Sequence, residues 1–277
     1  MQHTFCSQKG LPYPGNEFSY MPVLHILHTN DFHNTLNAEK ASFIKGLKAH
    51  FAPYVLLLDA GDAVSAGNLT AKKHEPVFAL MTGANYDAMA MGNRESHPTI
   101  GALVKKLKDA RVPVLAANLH PNKKMHPPRI VQEFLDFDFG TDDEDEENEK
   151  EGFAVSVFGL APQITSPDSF WAKMTDFVFD DPLKTGPGLA PKLHLNTELV
   201  IALTHIGYER DVLLAECPDI DIIIGGHSHR EVCPPEQHGH AWVAATGSHG
   251  KHIGHLTVTF MPGEGVTEIT GELIPLP

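Results

Sequence analysis

The sequence predicts an α/β fold, and three observations carry that prediction. Short apolar runs recur along the chain, each ending in a cluster of Gly, Asp, Asn or His. Segments with helical apolar spacing lie between them. The run from Asp219 to Arg230, Asp-Ile-Asp-Ile-Ile-Ile-Gly-Gly-His-Ser-His-Arg, holds three consecutive β-branched residues closed by paired glycines. Such residues fill a sheet core, and a strand buried on both faces is continuously apolar rather than alternating. Strand, polar turn and helix in repeating order is the layout of an open α/β sheet. At 277 residues, 42% apolar and 20% charged, one domain with one sizeable core is the default.

Residues 1–21 hold Pro12, Pro14, Gly15 and Asn16 without sustained periodicity and form a loose arm, leaving 22–277 as the folded domain. Val23 to His28 is the first core strand, running into Thr29-Asn30-Asp31-Phe32-His33-Asn34. Glu39 to Phe51 places Phe43, Ile44, Leu47 and Phe51 on one helical face that covers the sheet. Tyr54 to Leu58 is the second strand and opens into Asp59-Ala60-Gly61-Asp62. A helix over Glu75 to Thr82 is stopped by Gly83 in the left-handed conformation. Ala88 to Met91 is the third strand, before Gly92-Asn93-Arg94-Glu95. A helix over His97 to Ala110, with Pro98 in its first turn, leads to a fourth strand, Val112 to Ala117.

Arg129 to Phe139 and Phe153 to Leu160 then form an antiparallel hairpin. Their connection carries eight acids and one lysine between Asp142 and Glu151, an acidic insert held in solvent by its own repulsion. Leu199 to Thr204 is a buried strand feeding Thr204-His205-Ile206-Gly207, and Tyr208 to Cys217 is a helix. Trp242 to Thr246, Ile253 to Phe260 and Val266 to Leu273 are three further strands, with Gly263-Glu264-Gly265 as the clearest turn.

The formal charge of −14 argues against a nucleic-acid partner, because phosphate backbones are bound by clustered Lys and Arg. Cys6, Cys217 and Cys233 are too few and too scattered for a disulfide framework or a thiolate metal cluster, which points to a reducing, cytoplasmic setting. No apolar stretch approaches the ~20 residues that cross a bilayer, and the first twenty residues lack a signal-peptide layout, so no membrane association is expected.

Seven polar side chains follow predicted strands: Asp31, His33, Asp62, Asn93, His205, His227 and His229. Strand carboxyl ends are where open α/β sheets place their ligands. His227 and His229, two apart in an extended segment, project to the same side. Each residue alone has an ordinary structural use: Asp31 or Asp62 can cap a helix, Asn93 can hold a left-handed turn, and His205 can be a hydrogen-bonded core histidine. Together they make a candidate metal centre. A mixed oxygen and nitrogen donor set without thiolate suits Mn²⁺, Fe, Zn²⁺ or Co²⁺.

In this order, Asp-x-His, Gly-Asp, Gly-Asn-x-Glu, Thr-His and Gly-His-x-His resemble the motifs of the calcineurin-like metallophosphoesterases. The forms His28-Thr29-Asn30-Asp31-Phe32-His33, Leu203-Thr204-His205-Ile206-Gly207 and Gly226-His227-Ser228-His229 look most like the catalytic domain of 5′-nucleotidases. The resemblance covers Val23 to Phe260 apart from the acidic insert. It implies a four-layer sandwich of two mixed β-sheets flanked by helices. It also implies two divalent metal ions, one on Asp31, His33 and His229, a second on Asn93, His205 and His227, with Asp62 bridging. The implied reaction is hydrolysis of a small phosphate ester, a phosphomonoester such as a nucleotide, by metal-activated water without a phosphoenzyme.

Two departures accompany the resemblance. The family's third motif has a histidine where this chain has Arg94, and the nucleotidase branch pairs it with an aspartate where this chain has His97. Arginine supplies no proton at working pH, though its planar fork binds phosphate oxygens. The expected division gives the phosphoryl oxygens to Arg94 and the leaving-group proton to His97. The base-stacking domain of full-length 5′-nucleotidases has no expected counterpart before Pro277, so nucleotide specificity does not follow from the resemblance. A phosphodiesterase acting on a small diester is the alternative chemistry. A catalytically silent metal-binding or regulatory protein is the alternative of another class, against which seven intact donors argue.

Overall fold

Parallel pairing explains why the first apolar runs lack polar alternation. In the computed structural model, which describes residues 22–67, 69–72, 74–122, 129–140, 152–261 and 265–277, the strands fall into two large sheets and one small one. The first half of the chain supplies β1 (Val23–Thr29), β2 (Val55–Asp59), β3 (Ala88–Ala90), β4 (Val114–Leu115), β5 (Leu119–Pro121), β6 (Val131–Gln132) and β7 (Phe134–Phe139). The second half supplies β8 (Phe153–Leu160), β9 (Phe177–Phe179), β10 (Leu199–Thr204), β11 (Ile222–Ile224), β12 (Glu231–His238), β13 (Ala241–Thr246), β14 (His252–Met261) and β15 (Gly265–Pro275).

The first sheet has the order β15-β14-β1-β2-β3-β4-β6 and the second β12-β13-β11-β10-β8-β7, while β5 pairs only with β9. Both large sheets are mixed: β1 to β4 and β6 run parallel, as do β8, β10, β11 and β13, with antiparallel strands added at the edges. Leu24, Ile26, Leu56 and Leu58 of the first sheet pack in one core with Val155, Val157, Ile201 and Ile224 of the second, so the sheets lie face to face. The other face of the first sheet is covered by α1 (Ala38–Phe51), α2 (Pro76–Gly83) and α3 (Ile100–Leu107), through Ile44, Phe78, Met81 and Leu103. The outer face of the second is covered by α4 (Pro182–Leu193) and α5 (Tyr208–Leu214), through Ala190, Leu193 and Leu214. This is the four-layer sandwich that the resemblance implies. No helix among the described residues is long and apolar enough to cross a membrane.

Several local expectations need correction. Phe43 is 39% exposed, and the buried side of α1 is Ala41 and Ile44, with Leu47 and Phe51 partly buried. Gly83 stays inside α2, and Asn85, at φ 63°, takes the left-handed turn instead, a role its side chain tolerates. His97 and Pro98 precede α3, which begins only at Ile100, where Asp176 Oδ2 accepts the first helical N–H at 3.0 Å. The expected strand from Arg129 to Phe139 divides between the sheets: β6 pairs with β4, and only β7 forms the hairpin with β8.

The small pair β5 and β9, the edge strand β12 and the helix α4 were not foreseen. β12 contains Pro234 and Pro235, which an edge strand tolerates because one row of its N–H groups needs no partner. α4 contains Gly186, Pro187, Gly188 and Pro191, all breakers by propensity. Tertiary packing overrides them: a Cβ at Gly186 would sit 2.8 Å from Leu214, so close contact with α5 selects glycine there. The N-terminal arm, the acidic insert and Gly263-Glu264 lie outside the described residues.

Candidate metal centre

Three parallel strands of the first sheet and two of the second end at one edge, and the turn after each carries candidate donors. After β1, Asp31 N–H donates to the Gly61 carbonyl (2.9 Å) and His33 N–H to the Asp62 carbonyl (2.9 Å), so the turns after β1 and β2 run side by side beyond the sheet. After β3, the Arg94 N–H donates to Asp62 Oδ1 at 2.7 Å. After β11, the His227 N–H donates to Asp31 Oδ2 at 2.9 Å, which fastens the second sheet's turn to the first sheet's. Gly226 makes this approach possible, since a Cβ there would meet the Ala60 carbonyl at 2.7 Å and His205 Nδ1 at 2.8 Å.

All seven expected donors come together. Asp31, His33 and His229 present ligand atoms within 4.8 Å of one another, and so do Asp31, Asp62 and His205. His33 Nε2 lies 2.9 Å from His229 Nε2, and His227 Nδ1 lies 3.1 Å from Asn93 Oδ1. The rings of His205 and His227 meet edge to face at 5.1 Å. Asp31, rather than Asp62, is common to both tight groups. The route to this convergence differs from expectation, because His227 (φ 75°) and His229 (φ 55°) are left-handed and not extended.

Burial and charge set what kind of group this cluster fits. Asp31 and His205 are fully buried, yet Asp31 Oδ1 and His205 Nε2 have no hydrogen-bond partner among the described residues. His205 Nδ1–H donates to the Ala60 carbonyl at 2.6 Å, which aims the other ring nitrogen at Asp62 Oδ2 (3.5 Å) and Asp31 Oδ1 (3.9 Å). Burial alone would lower the His205 imidazole, but the Asp62 carboxylate close to Nε2, with Asp31 behind, carries it up to about 9. Positive charge is therefore strongly favoured at this point, and a cation supplies it directly. Burial, followed by the Arg94 charge, lowers His33 to about 4; burial, followed by His205, lowers His227. Neutral imidazoles are the form that binds a metal, and a histidine tied to a carbonyl by its second nitrogen is the usual oriented ligand. The residues present fit divalent cations.

Arg94 stands over this cluster with Nε 3.7 Å from Asp62 Oδ2 and its side chain 35% exposed, so the guanidinium is open to a ligand. The structure does not bring His97 to the cluster. Its Nδ1 accepts the Thr99 N–H and meets the Thr99 hydroxyl, both at 3.1 Å, just before α3, and its ring lines a small cavity with Leu69, Ile164, Phe177 and Phe179. Burial, then the charge of Lys106, lowers its pKa, in keeping with an acceptor role.

Three contributors escape sequence reasoning. Asn30 Nδ2 donates to Asp31 Oδ2 (2.8 Å) while its Oδ1 accepts from Thr246, holding the carboxylate in place. Glu95 accepts the N–H groups of Asp62 (2.9 Å), Gly92 (3.0 Å) and Val64 (3.1 Å), joining the turns after β2 and β3. His249 is exposed, lies 5.1 Å from the His33 ring and 5.7 Å from that of His229, and donates its N–H to the Asp31 carbonyl. Asn30 and Glu95 stood inside recognised motifs; His249 stood in the Gly-rich turn between β13 and β14 and carried no signal.

The fold and this donor set define a divalent-metal centre at the edge of a four-layer α/β sandwich. The chain matches the calcineurin-like phosphoesterase family over residues 24–231, and it belongs to that family. It is 28% identical over 300 residues to the 5′-nucleotidase of Vibrio vulnificus, covering 91% of this chain and 51% of that protein. It is 30% identical over 271 residues to the trifunctional nucleotide phosphoesterase protein YfkN of Bacillus subtilis, covering 86% of this chain and 18% of that one. The chain spans about half the length of the curated relatives it matches first. Among solved structures, the Bacillus subtilis calcineurin-like phosphoesterase YfkN shares the fold with a TM-score of 0.72 at 22% identity, covering 93% of this chain and 92% of that chain.

Proposed function

We propose that this chain is a two-metal phosphomonoesterase whose substrates are small phosphorylated molecules of the nucleoside monophosphate kind. The observation that carries this reading is the pair of overlapping donor groups around Asp31, with Asp31 Oδ1 and His205 Nε2 buried and unpartnered among the described residues. Asp31, His33 and His229 are assigned to one cation, Asn93, His205 and His227 to the other, and Asp62 to both. Cations held there would supply Lewis acidity that favours attack of a water on phosphorus. The donor set suits Mn²⁺, Fe, Zn²⁺ or Co²⁺.

The chain's own residues supply orientation. Arg94 binds the non-bridging phosphoryl oxygens through its planar fork. Asn30 and Glu95 keep Asp31 and Asp62 aimed inward. Likeness to 5′-nucleotidases supports a nucleotide substrate. A small phosphodiester is the second reading, favoured by Arg94 at a position where no proton is available and by the withdrawn place of His97.

The deciding experiment compares turnover of a nucleoside monophosphate, p-nitrophenyl phosphate and bis-p-nitrophenyl phosphate by wild type and Asp62→Ala with Mn²⁺ added. Monoester turnover that Asp62→Ala abolishes supports the proposal. Turnover confined to the diester selects the second reading, and activity that survives Asp62→Ala refutes both.

A further inference from the structure

Lys106 lies on the buried face of α3 beside Leu103 and Leu107 and is 1% exposed. Its ammonium donates to the carbonyls of Arg94 (2.7 Å), Ser96 (2.8 Å) and Gly67 (3.0 Å). A lysine ammonium has three donors and no acceptor, so these three carbonyls match its full capacity. None of the three belongs to a helix or strand. Two come from the turn that starts at Asn93 and the third from the segment that leaves Asp62. The Arg94 backbone is thus held from both sides, its carbonyl by Lys106 and its N–H by Asp62 Oδ1. Ser96 adds a bond from its hydroxyl to the Asn93 carbonyl at 2.8 Å.

We propose that Lys106 is a positioning residue for the phosphate-binding side of the metal centre, fixing the Arg94 backbone and tying its turn to the segment that carries Asp62. The proposal rests on the phosphoesterase reading and deepens it. Removing the ammonium leaves the Arg94 and Ser96 carbonyls without a donor among the described residues, while the exposed Gly67 carbonyl keeps the Thr70 N–H (3.0 Å) and hydroxyl (3.1 Å), and orphaned carbonyls move toward water when they can. The turn from Asn93 to Ser96 is the part free to move, because α3 and the strands are held by their own ladders. Arg94 would move with it. A purely stabilising lysine would affect melting without acting through Arg94. Burial pulls Lys106 down to about 8 while Glu95 and Glu75 pull it up, which leaves it charged at neutral pH.

The test is a double-mutant comparison. Lys106→Met and Lys106→Arg are made in wild type and in Arg94→Ala, and assayed on a phosphomonoester with Mn²⁺ well below the melting temperature. Hydrogen exchange is followed on the metal-free proteins. Lys106→Met is expected to lower kcat/KM on the order of 100-fold in wild type, the usual effect of displacing a binding group by an ångström. In Arg94→Ala it is expected to cost no more than about 3-fold, since coupled residues are not additive. Amides of residues 92–97 should exchange faster while those of β1 and β2 keep their protection, and Lys106→Arg should restore part of both losses. An equal factor in the two backgrounds, or unchanged exchange at 92–97, overturns the proposal. If Lys106→Met does not fold, Lys106→Gln, with two donors for three carbonyls, goes through the same comparison. A wild type that hydrolyses no phosphoester refutes the phosphoesterase reading, and the exchange result alone then decides the role of Lys106.

Discussion

Gly92→Ala adds one methyl group at the point where the turns after β2 and β3 touch. A Cβ on Gly92 would lie 2.3 Å from Asp62 Oδ1, 2.5 Å from Asp62 N and 2.8 Å from Glu95 Oε2, whereas ordinary contact begins at 3.4 Å. The carboxylate therefore has to retreat by about 1 Å, and a misplacement of that size costs on the order of 100-fold in rate. Overpacking costs about 1–3 kcal/mol, and each kcal/mol lowers Tm by roughly 2–4 °C in a domain of this size class. The protein should stay folded at 25 °C while kcat/KM for a phosphomonoester with saturating Mn²⁺ falls about 100-fold. Gly46→Ala is the control: nothing lies within 4 Å of its added Cβ in α1, so it should add about 0.4–1 kcal/mol of stability and leave activity alone. If Gly92→Ala keeps more than about a third of wild-type kcat/KM, close packing against Gly92 does not set the Asp62 position.

His249 packs against the rings of His33 and His229. His249→Ala should weaken Mn²⁺ binding several-fold by calorimetry, while His249→Phe, which keeps a ring there, should restore most of it. Burial, then the charge of His255, lowers the His28 pKa from 6.5 to about 3, so the unfolded chain binds the extra proton below pH 6.5. Stability is then fully present above pH 6.5 and lost as pH falls toward 3: between pH 7.5 and 5, wild type should lose about 2 kcal/mol more than His28→Phe in urea melts, and equal losses would show that His28 does not titrate as buried. Because His97 Nδ1 is occupied by Thr99, His97→Asn should slow an alkyl phosphate and p-nitrophenyl phosphate by the same small factor. General acid catalysis is worth about 100- to 10,000-fold, so a loss confined to the alkyl ester would return His97 to that role.

The candidate ligand residues were legible because strand ends are. A parallel strand buried on both faces leaves a continuous apolar run, and the first polar residues beyond it have to sit at the carboxyl edge. Asp31, Asp62, Asn93, His205 and His227 all follow such runs, so reading the strands also located the site. Lys106 was hidden by the opposite circumstance. It occupies the apolar stripe of α3 between Leu103 and Leu107, where a helical reading treats a lysine as a stem over apolar surface with its head in water. Its partners are carbonyls, and every residue has one, so no spacing in the sequence marks them. His97 shows the same limit, since two residues on one turn can face different neighbours, and only the place where α3 begins separates them.

Backbone conformation is the part of the site that composition conceals. Asp31, His33, Asp62, His227 and His229 all hold φ between 48° and 75°, a region where a non-glycine residue costs on the order of 1–3 kcal/mol. A glycine-rich sequence announces such turns, but these residues carry the donors themselves and cannot be glycine. Each left-handed residue turns the chain sharply at the end of its strand and swings its side chain back over the sheet edge, where an extended residue would carry the next donor farther from the core. The strain is held by bonds that cross between turns: His33 to the Asp62 carbonyl, His249 to the Asp31 carbonyl, and His227 to the Asp31 carboxylate. Asp31 takes part in two of these three bonds and in both tight donor groups, which makes it the residue where backbone strain and ligand geometry meet. A change at Asp31 therefore removes a candidate ligand and releases the turn after β11 together, and the added cost of that release is what separates it from a change at His33.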